Sequence, residues 1–552
     1  MSKSGEDIWR YGLFGISAFY SLYILIFYLR LSPQYYLYFI PVLLLAALST
    51  WYASRITLFV FAGAIPLVSG LCLTVWSLSP FVLNAIFAAM YLSWFIRYVL
   101  VAKIDIRPKT QVGFFIDVLG SVILLSLFSV LILYPFDYWP VRIWSSESLS
   151  QINELFGIHA SYIFLQGLFL FRLVEISSQG EGDVRFFRAV FILQACTIVS
   201  FSGYQAIFGN AGWLDASSFK NRGIHLPLDD IHSYGSYLIL LFSVFLFSIR
   251  GAPGNRKWVN GGLTLLLGVC IVLSFSRIAC LVLLGVLVIY LGSFLNRKKM
   301  AAIAVMVCVV CVWLFILVPD NVRIPGTSYS LRHFKATYTL MYRVFRWRVT
   351  LDMIGVSPLT GLGMGVHYRL YPYYSKDADL PDEWRTPARE GPENAHNYFI
   401  QFASDLGIPA LLLLFWLLFL AFRRASKVRP VTLEGNSLRK GLMVGAGGYL
   451  VTCIPGHPLL LSNQQFLFWF AVAGMSFISE TKWLSGGGFP DSRRVRMMVA
   501  AVLGAVLLAG YAYKWSTFRE WRGYEFGHYP YEQRDAGEMR FGSLNRISEK
   551  LR

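Results

Sequence analysis

The residues best suited to chemistry are a histidine and several arginines in or near one long hydrophilic stretch, the long loop (residues 319–396). His396 closes this loop, directly before Asn397 and the next apolar run. A neutral imidazole can accept a proton near pH 7, so His396 is a candidate general base. A lone histidine at a helix start is more often structural. The arginines in the same loop favour the catalytic interpretation.

Arg277 is the first candidate for binding an anion. It follows Ser274-Phe275-Ser276 between two short apolar runs, and this pattern predicts a helical hairpin that bends at the arginine. A guanidinium near the membrane boundary is costly unless a partner neutralises it. Its planar fork of donors suits a diphosphate or a carboxylate. The alternative is an arginine that snorkels from a helix end.

A second group of arginines surrounds Trp347 on a predicted helix that runs to Ile354. Arg343 and Trp347 are four residues apart and share one helical face, so Arg343 is the favoured anion ligand. We expect Arg346 and Arg348 to lie on a solvated basic face.

Alternating glycines follow this helix, in Pro358-Leu359-Thr360-Gly361-Leu362-Gly363-Met364-Gly365. They resemble a nucleotide-binding loop, but no strand precedes them and no Lys-Ser/Thr follows, so that interpretation fails on context. Gly361 and Gly363 are expected to allow a tight turn or a close approach of the backbone to a ligand.

The stretch 209–230 supplies a weaker phosphate candidate, Arg222. Two carboxylates and two histidines also lie in or next to it and could bind a divalent ion, but their spacing matches no helical ligand pair. They are His225, Asp229, Asp230 and His232. We therefore expect no metal site.

Composition decides which kind of element must position these residues. The 552-residue chain is 56% hydrophobic and 14% charged, and its mean hydropathy is +0.54. A soluble core cannot hold so much apolar surface, so the chain is predicted to be an all-α, polytopic transmembrane bundle. All seven cysteines lie in or beside apolar runs, which indicates neither a disulfide framework nor a zinc site.

The net charge of +18 comes from Lys and Arg in short gaps between the apolar runs. This is the topology signal of cytoplasmic loops and not a nucleic-acid signature. Alternation then places the long loop on the opposite side of the membrane. About 14 or 15 spans are expected from the apolar runs near 11–29, 34–52, 57–78, 80–101, 112–134, 156–174, 187–208, 231–249, 258–275, 278–295, 300–318, 397–421, 441–460, 463–479 and 497–513.

Three regions follow from this pattern. Residues 1–208 carry the N-terminal transmembrane helices, and the first run is interpreted as a retained helix because no small-residue cleavage pattern follows it. Residues 209–480 form the predicted catalytic region around the long loop. Residues 481–552 hold the last transmembrane helix and a polar tail.

Four motifs in order resemble the shared region of the O-antigen ligase and Wzy polymerase superfamily. They are Ser274-x-Ser276-Arg277, Arg343-x-x-x-Trp347, Pro358-Leu359-Thr360-Gly361-x-Gly363, and Ala395-His396-Asn397 followed by Leu406-Gly407-Ile408-Pro409. The resemblance covers about 222–421 and implies a GT-C-like bundle, with short helices in a periplasmic loop. It also implies an undecaprenyl-diphosphate-linked glycan donor, no metal or other cofactor, and transfer at the periplasmic face of the bacterial inner membrane.

The same resemblance implies roles for single residues. Arg277 and Arg343 resemble the diphosphate-binding arginines of the superfamily, and His396 resembles its essential histidine. The acceptor is then the lipid A core for a ligase of lipopolysaccharide biosynthesis, a second glycan for a polymerase, or a protein side chain for an O-oligosaccharyltransferase. The chain has more N-terminal spans than the usual ligase, which leaves the acceptor open.

A transporter of lipid-linked glycans is the rival from another class, since it too needs many helices and buried arginines. Transporters usually show two related halves or broken midplane helices, and the sequence shows neither. A structural membrane protein gives no reason for the arginines of the loop.

Overall fold

The computed structural model is all-helical in the part of the chain that it describes. That part is 3–31, 36–75, 79–133, 156–208, 227–228, 231–294, 337–367, 371, 374–375, 394–427, 430, 432–478, 504–505, 509–510 and 512. The predicted all-α fold is confirmed for these residues.

Fourteen α-helices are numbered here in chain order within the described residues. They are α1 (Lys3–Leu31), α2 (Tyr36–Val75), α3 (Ser79–Trp94), α4 (Gln111–Leu133), α5 (Phe156–Ser177), α6 (Val184–Phe208), α7 (Ile231–Gly251), α8 (Arg256–Leu273), α9 (Arg277–Gly292), α10 (Thr337–Val356), α11 (Tyr398–Leu406), α12 (Ile408–Lys427), α13 (Leu433–Thr452) and α14 (Ser462–Phe477). A π-helical turn, Phe95–Val101, extends α3, and a short 3₁₀ helix, Pro458–Leu460, precedes α14.

Eight helices in the described part are long and apolar enough to cross a membrane, namely α2 to α8 and α12. Two shorter apolar helices, Gly12–Ile26 and Arg277–Gly292, add to them. The chain is therefore a multi-pass membrane protein. The total of about 14 spans is not confirmed, because the run at 300–318 and most of 497–513 lie outside the described residues.

Two of the expected spans, 34–52 and 57–78, correspond to the two halves of α2, which are separated by a kink. In α2 the two halves meet at Ala53, whose φ of −142° and ψ of 53° are not helical, so the helix is kinked there. The expected span 397–421, in contrast, is divided into two helices. Gly407, at φ +87°, ends α11, and α12 begins at the next residue.

The central helix of the bundle is α14, in which every residue from Ser462 to Phe477 is buried. Its Trp469 lies against Gly167 of α5, where a Cβ in place of the glycine hydrogen would come within 2.5 Å of the indole. Only glycine therefore permits this approach between α5 and α14.

A seam of glycines on α13 brings this helix close to the backbone of α7. A Cβ at Gly441 would lie 2.8 Å from the Cα of Val244, and one at Gly445 would lie 2.9 Å from the carbonyl oxygen of Leu240. Small residues on one face allow two helices to pack at backbone distance. The two helices run antiparallel, so the start of α7 lies beside the end of α13, where Thr452 Oγ1 donates to Ser236 Oγ at 2.7 Å.

Ion pairs occupy the opposite end of the bundle. Arg172 of α5 is fully buried and donates to Asp117 of α4 at 2.7 Å and to Glu175. Arg188 of α6 pairs with Glu434 of α13. These pairs hold the helix ends that face away from the His396 region.

Candidate functional site

The turn that carries His396 is held by side-chain hydrogen bonds of Asn394 and Asn397. The backbone N–H of His396 donates to Asn394 Oδ1 at 2.9 Å. Asn397 caps α11, since its Oδ1 accepts from the N–H groups of Phe399 at 3.0 Å and Ile400 at 3.1 Å. Asn397 is thus the N-cap residue of α11.

His396 itself adopts a left-handed backbone conformation, with φ of +46°. Such a conformation costs an L-residue with a Cβ roughly 1–2 kcal/mol, and it persists only where the surrounding structure imposes it. An observed strained residue is a reason to look for function at that position.

The start of α11 is tied to the turn between α13 and α14. The N–H of Tyr398 is shared between the carbonyl oxygens of Cys453, at 3.0 Å, and Gly456, at 2.9 Å. The next residue of that turn is His457. Its ring lies against the ring of His396, with centroids 4.9 Å apart and planes at 81°. His457 belongs to none of the motifs recognised in the sequence.

Arg343 reaches this region from α10. Its Nη2 lies 3.2 Å from Nε2 of His232, in the first turn of α7. Arg343 and Trp347 are both half-buried, as their shared face predicts. The indole N–H of Trp347 is buried and has no acceptor among the described residues, so it can donate to a bound ligand.

The prediction for Arg346 is wrong. It is 2% exposed, although it was expected on a solvated face with Arg348, which is indeed exposed. The helix α10 is covered on a second side, and its buried residues include Phe345 and Val349 next to Arg346. The face pattern of a helix shows which residues lie together but not how many of its faces a fold covers.

The electrostatics of the cluster keep His396 neutral. Burial lowers the pKa of His396 to about 2. Repulsion from His457 when it is protonated, from Arg346 and Arg343, and from His232 when it is protonated acts in the same direction. A neutral imidazole has a lone pair available for a proton. The four groups come from α10, from α7 and from the turn after α13, so the fold assembles the cluster from three separate segments.

The predicted hairpin at Arg277 is confirmed, because α8 and α9 are joined by a tight turn. Ser274 Oγ donates to the carbonyl oxygen of Ile271 at 2.7 Å and accepts from the N–H of Ser276 at 3.3 Å. Phe275 has a φ of +53°, and Arg277 begins α9 half-buried.

This turn lies against the first turns of α7, the helix that also carries His232. A Cβ at Gly235 would be 3.1 Å from Ser276 Oγ. The Arg277 turn, His232 with Arg343, and the His396 turn therefore lie at the same end of the bundle.

The glycine motif forms a tight turn that packs on α11. Gly361 and Gly363 have φ values of +64° and +119°. A Cβ at Gly361 would lie 2.4 Å from the carbonyl carbon of Asp405. The N–H of Leu362 donates to Ser404 O at 2.8 Å, and that of Gly363 to Asp405 O at 3.0 Å. These glycines allow the turn that follows α10 to pack directly on the backbone of α11, which fixes the position of α11 relative to α10.

Asp405 is a buried acid beneath this turn. Burial raises the pKa of Asp405 to about 8, while hydrogen bonds from the backbone N–H groups of His367 and Gly365 oppose the rise. Asp405 therefore gains or loses its proton near neutral pH, in contrast to an exposed aspartate.

Several predicted residues lie outside the described part, so their roles stay predictions. These are Arg222, His225, Asp229 and Asp230. Within the described residues, no group of three or more His, Cys, Asp and Glu side chains could hold a metal ion. The expected absence of a metal stays a prediction for the chain.

A comparison with known protein families finds a match in the part of the chain that contains most of this cluster. Residues 262–415, from within α8 into α12, match a family model described as O-antigen ligase. The chain carries an O-antigen ligase domain. This supports its membership of the O-antigen ligase and Wzy superfamily, as the motifs indicated. The O-antigen ligase domain includes Arg277, Arg343, Arg346 and His396.

His232 and His457 lie on either side of the matched residues, yet they contact Arg343 and His396. The site therefore extends beyond the O-antigen ligase domain. A search of curated proteins gives no significant match. The domain and the helices together indicate a membrane enzyme of the O-antigen ligase or polymerase type.

Proposed function

We propose that this protein is a glycosyltransferase of the bacterial inner membrane. It moves a glycan from an undecaprenyl-diphosphate-linked donor to an acceptor hydroxyl at the periplasmic face, with the lipid A core as acceptor. The observation that carries the proposal is the cluster of a neutral, strained His396 with Arg343 and Arg346 inside an O-antigen ligase domain.

The arginines supply what the leaving group requires. Transfer breaks the bond between the anomeric carbon of the sugar and a phosphate oxygen, and the electron pair leaves with the polyprenyl diphosphate. Donors fixed before the reaction stabilise that developing charge without reorganisation. Arg343, held by His232, and Arg277, at the start of α9, are the proposed ligands of the diphosphate. Two forked guanidinium groups can serve in this role without a metal.

His396 supplies the base. The acceptor oxygen forms the new bond to the anomeric carbon, and its proton passes to the imidazole of His396. A pKa of about 2 makes His396 a weak base in the absence of donor. A bound diphosphate adds negative charge beside Arg343 and Arg346, which opposes their effect and raises the pKa of His396 toward neutrality. We expect the base to strengthen once the donor is in place.

Arg277→Lys tests the diphosphate site. Lysine retains the charge but not the planar fork, so donor binding and transfer should fall at least about tenfold, or about 1.4 kcal/mol. Arg348→Lys, on the exposed side of α10, is the matched control and should resemble wild type. The assay measures binding of undecaprenyl diphosphate to purified protein in nanodiscs. Equal behaviour of the two variants would remove Arg277 from the site.

The side of the membrane is tested by labelling with an impermeant thiol reagent in intact cells. The seven native cysteines are first replaced. Asp352→Cys on α10 and Ser426→Cys at the end of α12 both place a thiol at an exposed position. The proposal requires the Asp352→Cys protein to be labelled and the Ser426→Cys protein to be protected. The reverse pattern would place the cluster in the cytoplasm.

A further inference from the structure

The second histidine of the cluster, His457, is held in place by the backbone. It directly precedes the 3₁₀ helix Pro458–Leu460, in the turn whose carbonyl oxygens at Cys453 and Gly456 bind the N–H of Tyr398. Because Tyr398 follows the His396-Asn397 pair, the two histidine backbones are coupled through these bonds. The fold itself therefore places the two histidines next to each other.

Asn394 determines which nitrogen of His457 carries the proton. The N–H of His396 can only donate, so the Asn394 atom that it meets at 2.9 Å must be the carbonyl oxygen. The amide nitrogen of Asn394 then faces Nε2 of His457 at 3.4 Å. Since an amide N–H₂ only donates, Nε2 of His457 accepts, and a neutral His457 carries its proton on Nδ1.

One side chain therefore connects the two histidines. Asn394 holds the backbone of His396 through its oxygen and the ring of His457 through its nitrogen. The His457 ring in turn stands nearly perpendicular to that of His396. This arrangement opposes relaxation of His396 out of its left-handed conformation, which by itself is unfavourable.

We propose that Asn394 and His457 are positioning residues for His396, and that a neutral His457 fixes the orientation in which His396 receives the acceptor proton. The positioning of His396 by Asn394 and His457 does not depend on the reaction. The receipt of the acceptor proton by His396 rests on the proposed function. Protonation of His457 at Nε2 would remove the acceptor for Asn394 and place a positive charge beside His396. The other charged or titratable groups that act on His396 are Arg343 and Arg346 from α10 and His232 from α7.

Three substitutions separate positioning from simple packing. His457→Phe keeps a ring but removes both nitrogens. His457→Gln can still accept from Asn394, and Asn394→Asp keeps the acceptor for the His396 N–H but loses the donor to His457. We expect kcat to fall about tenfold in His457→Phe and Asn394→Asp, and less in His457→Gln, while KM for the donor changes less than about twofold.

The pH dependence gives a readout that packing alone would not move. The neutral His457 that positions His396 exerts no repulsion, but in the state with both rings protonated its charge opposes the charge on His396. Removal of His457 should therefore shift the titration of His396 to higher pH. The measurement is NMR of ¹³C-labelled histidine rings in nanodiscs, for wild type and His457→Phe, with no glycan present. Ile454→Ala, at an exposed position in the same turn, is the control and should not shift the titration.

The outcomes distinguish this inference from the proposed function. An upward shift in His457→Phe together with the graded loss of kcat supports it. An unchanged His396 titration, or equal kcat in His457→Phe and wild type, would overturn it. If wild type transfers no glycan, the proposed function fails, and the NMR titration still decides whether His457 acts on His396. Should His457→Phe not fold, the comparison of His457→Gln with Asn394→Asp takes its place.

Discussion

Nη2 of Arg343 lies 3.2 Å from Nε2 of His232, and this contact joins the helix of the long loop to the first turn of α7. A guanidinium can only donate, so Nε2 of His232 is the acceptor. Arg343 is thereby oriented by a residue outside the matched O-antigen ligase domain. The orientation of a proposed diphosphate ligand depends on a helix that family motifs do not cover.

His232 should therefore influence donor binding without touching the donor. His232→Phe removes the acceptor for Arg343, and a hydrogen bond to a charged group contributes about 1.5–3 kcal/mol. We expect undecaprenyl diphosphate to bind about tenfold more weakly in nanodiscs. His232→Gln, which retains an acceptor, should lose less. Equal affinity of the Phe variant and wild type would show that His232 does not orient Arg343.

Arg346 and Arg348 should differ sharply, although both lie beside Trp347 in the sequence. Arg346 is buried and lowers the pKa of His396, whereas Arg348 is exposed. Arg346→Ala should reduce transfer at least about tenfold and raise the pKa of His396, because a nearby positive charge is removed. Arg348→Ala should stay within about twofold of wild type. Similar activities at equal expression would mean that burial of Arg346 has no functional consequence.

Substitution by alanine should destabilise the protein at Gly361, in the glycine turn, and should be tolerated at Gly355, in α10. Alanine at Gly361 would combine a φ of +64° with a Cβ 2.4 Å from the backbone of Asp405. This should destabilise the protein by about 2–4 kcal/mol. Gly355→Ala, in α10 with open space around the site, should stabilise it by about 0.5–1 kcal/mol. Thermal unfolding in detergent compares the two, and an unaffected Gly361→Ala protein would contradict the described packing.

Asp405 should make stability depend on pH. Its folded-state pKa of about 8 lies above the ordinary value of 3.8, so the folded protein binds the additional proton between these values. Stability should therefore fall as the pH rises from about 4 to about 8. Asp405→Asn removes the ionisation but keeps an oxygen for the backbone N–H groups. The loss of Tm between pH 5 and pH 8.5 should be smaller in this variant than in wild type, and an equal loss would refute the raised pKa.

The sequence predicted the helices well because apolar runs and their length determine which segments can cross a membrane. It also predicted the hairpin at Arg277, where a basic residue follows Ser-Phe-Ser between two such runs. The kink at Ala53 lies in the gap predicted between the spans 34–52 and 57–78, although no proline or glycine marks that position. The division at Gly407 was not expected, although this glycine was part of the recognised motif.

The site was predicted only in part. Periodicity placed Arg343 and Trp347 together, but it could not show that packing also covers Arg346. His457 was missed because it falls inside the apolar run 441–460, where a histidine in a proline-rich turn looks like part of a span. The alternation of crossings does place the end of that run on the same side as His396. This was the available signal, and a contact between the two rings requires the three-dimensional fold.

Glycan transfer by the purified protein tests the central proposal most directly. Wild type and His396→Gln are compared in nanodiscs with an undecaprenyl-diphosphate-linked glycan and lipid A core, and donor binding is measured in parallel. We predict transfer by wild type, and in His396→Gln a donor affinity within about twofold but a rate lower by about 10² to 10⁴, the usual contribution of a positioned acid–base group. Absence of transfer by wild type, or near-normal transfer by His396→Gln, would contradict the account.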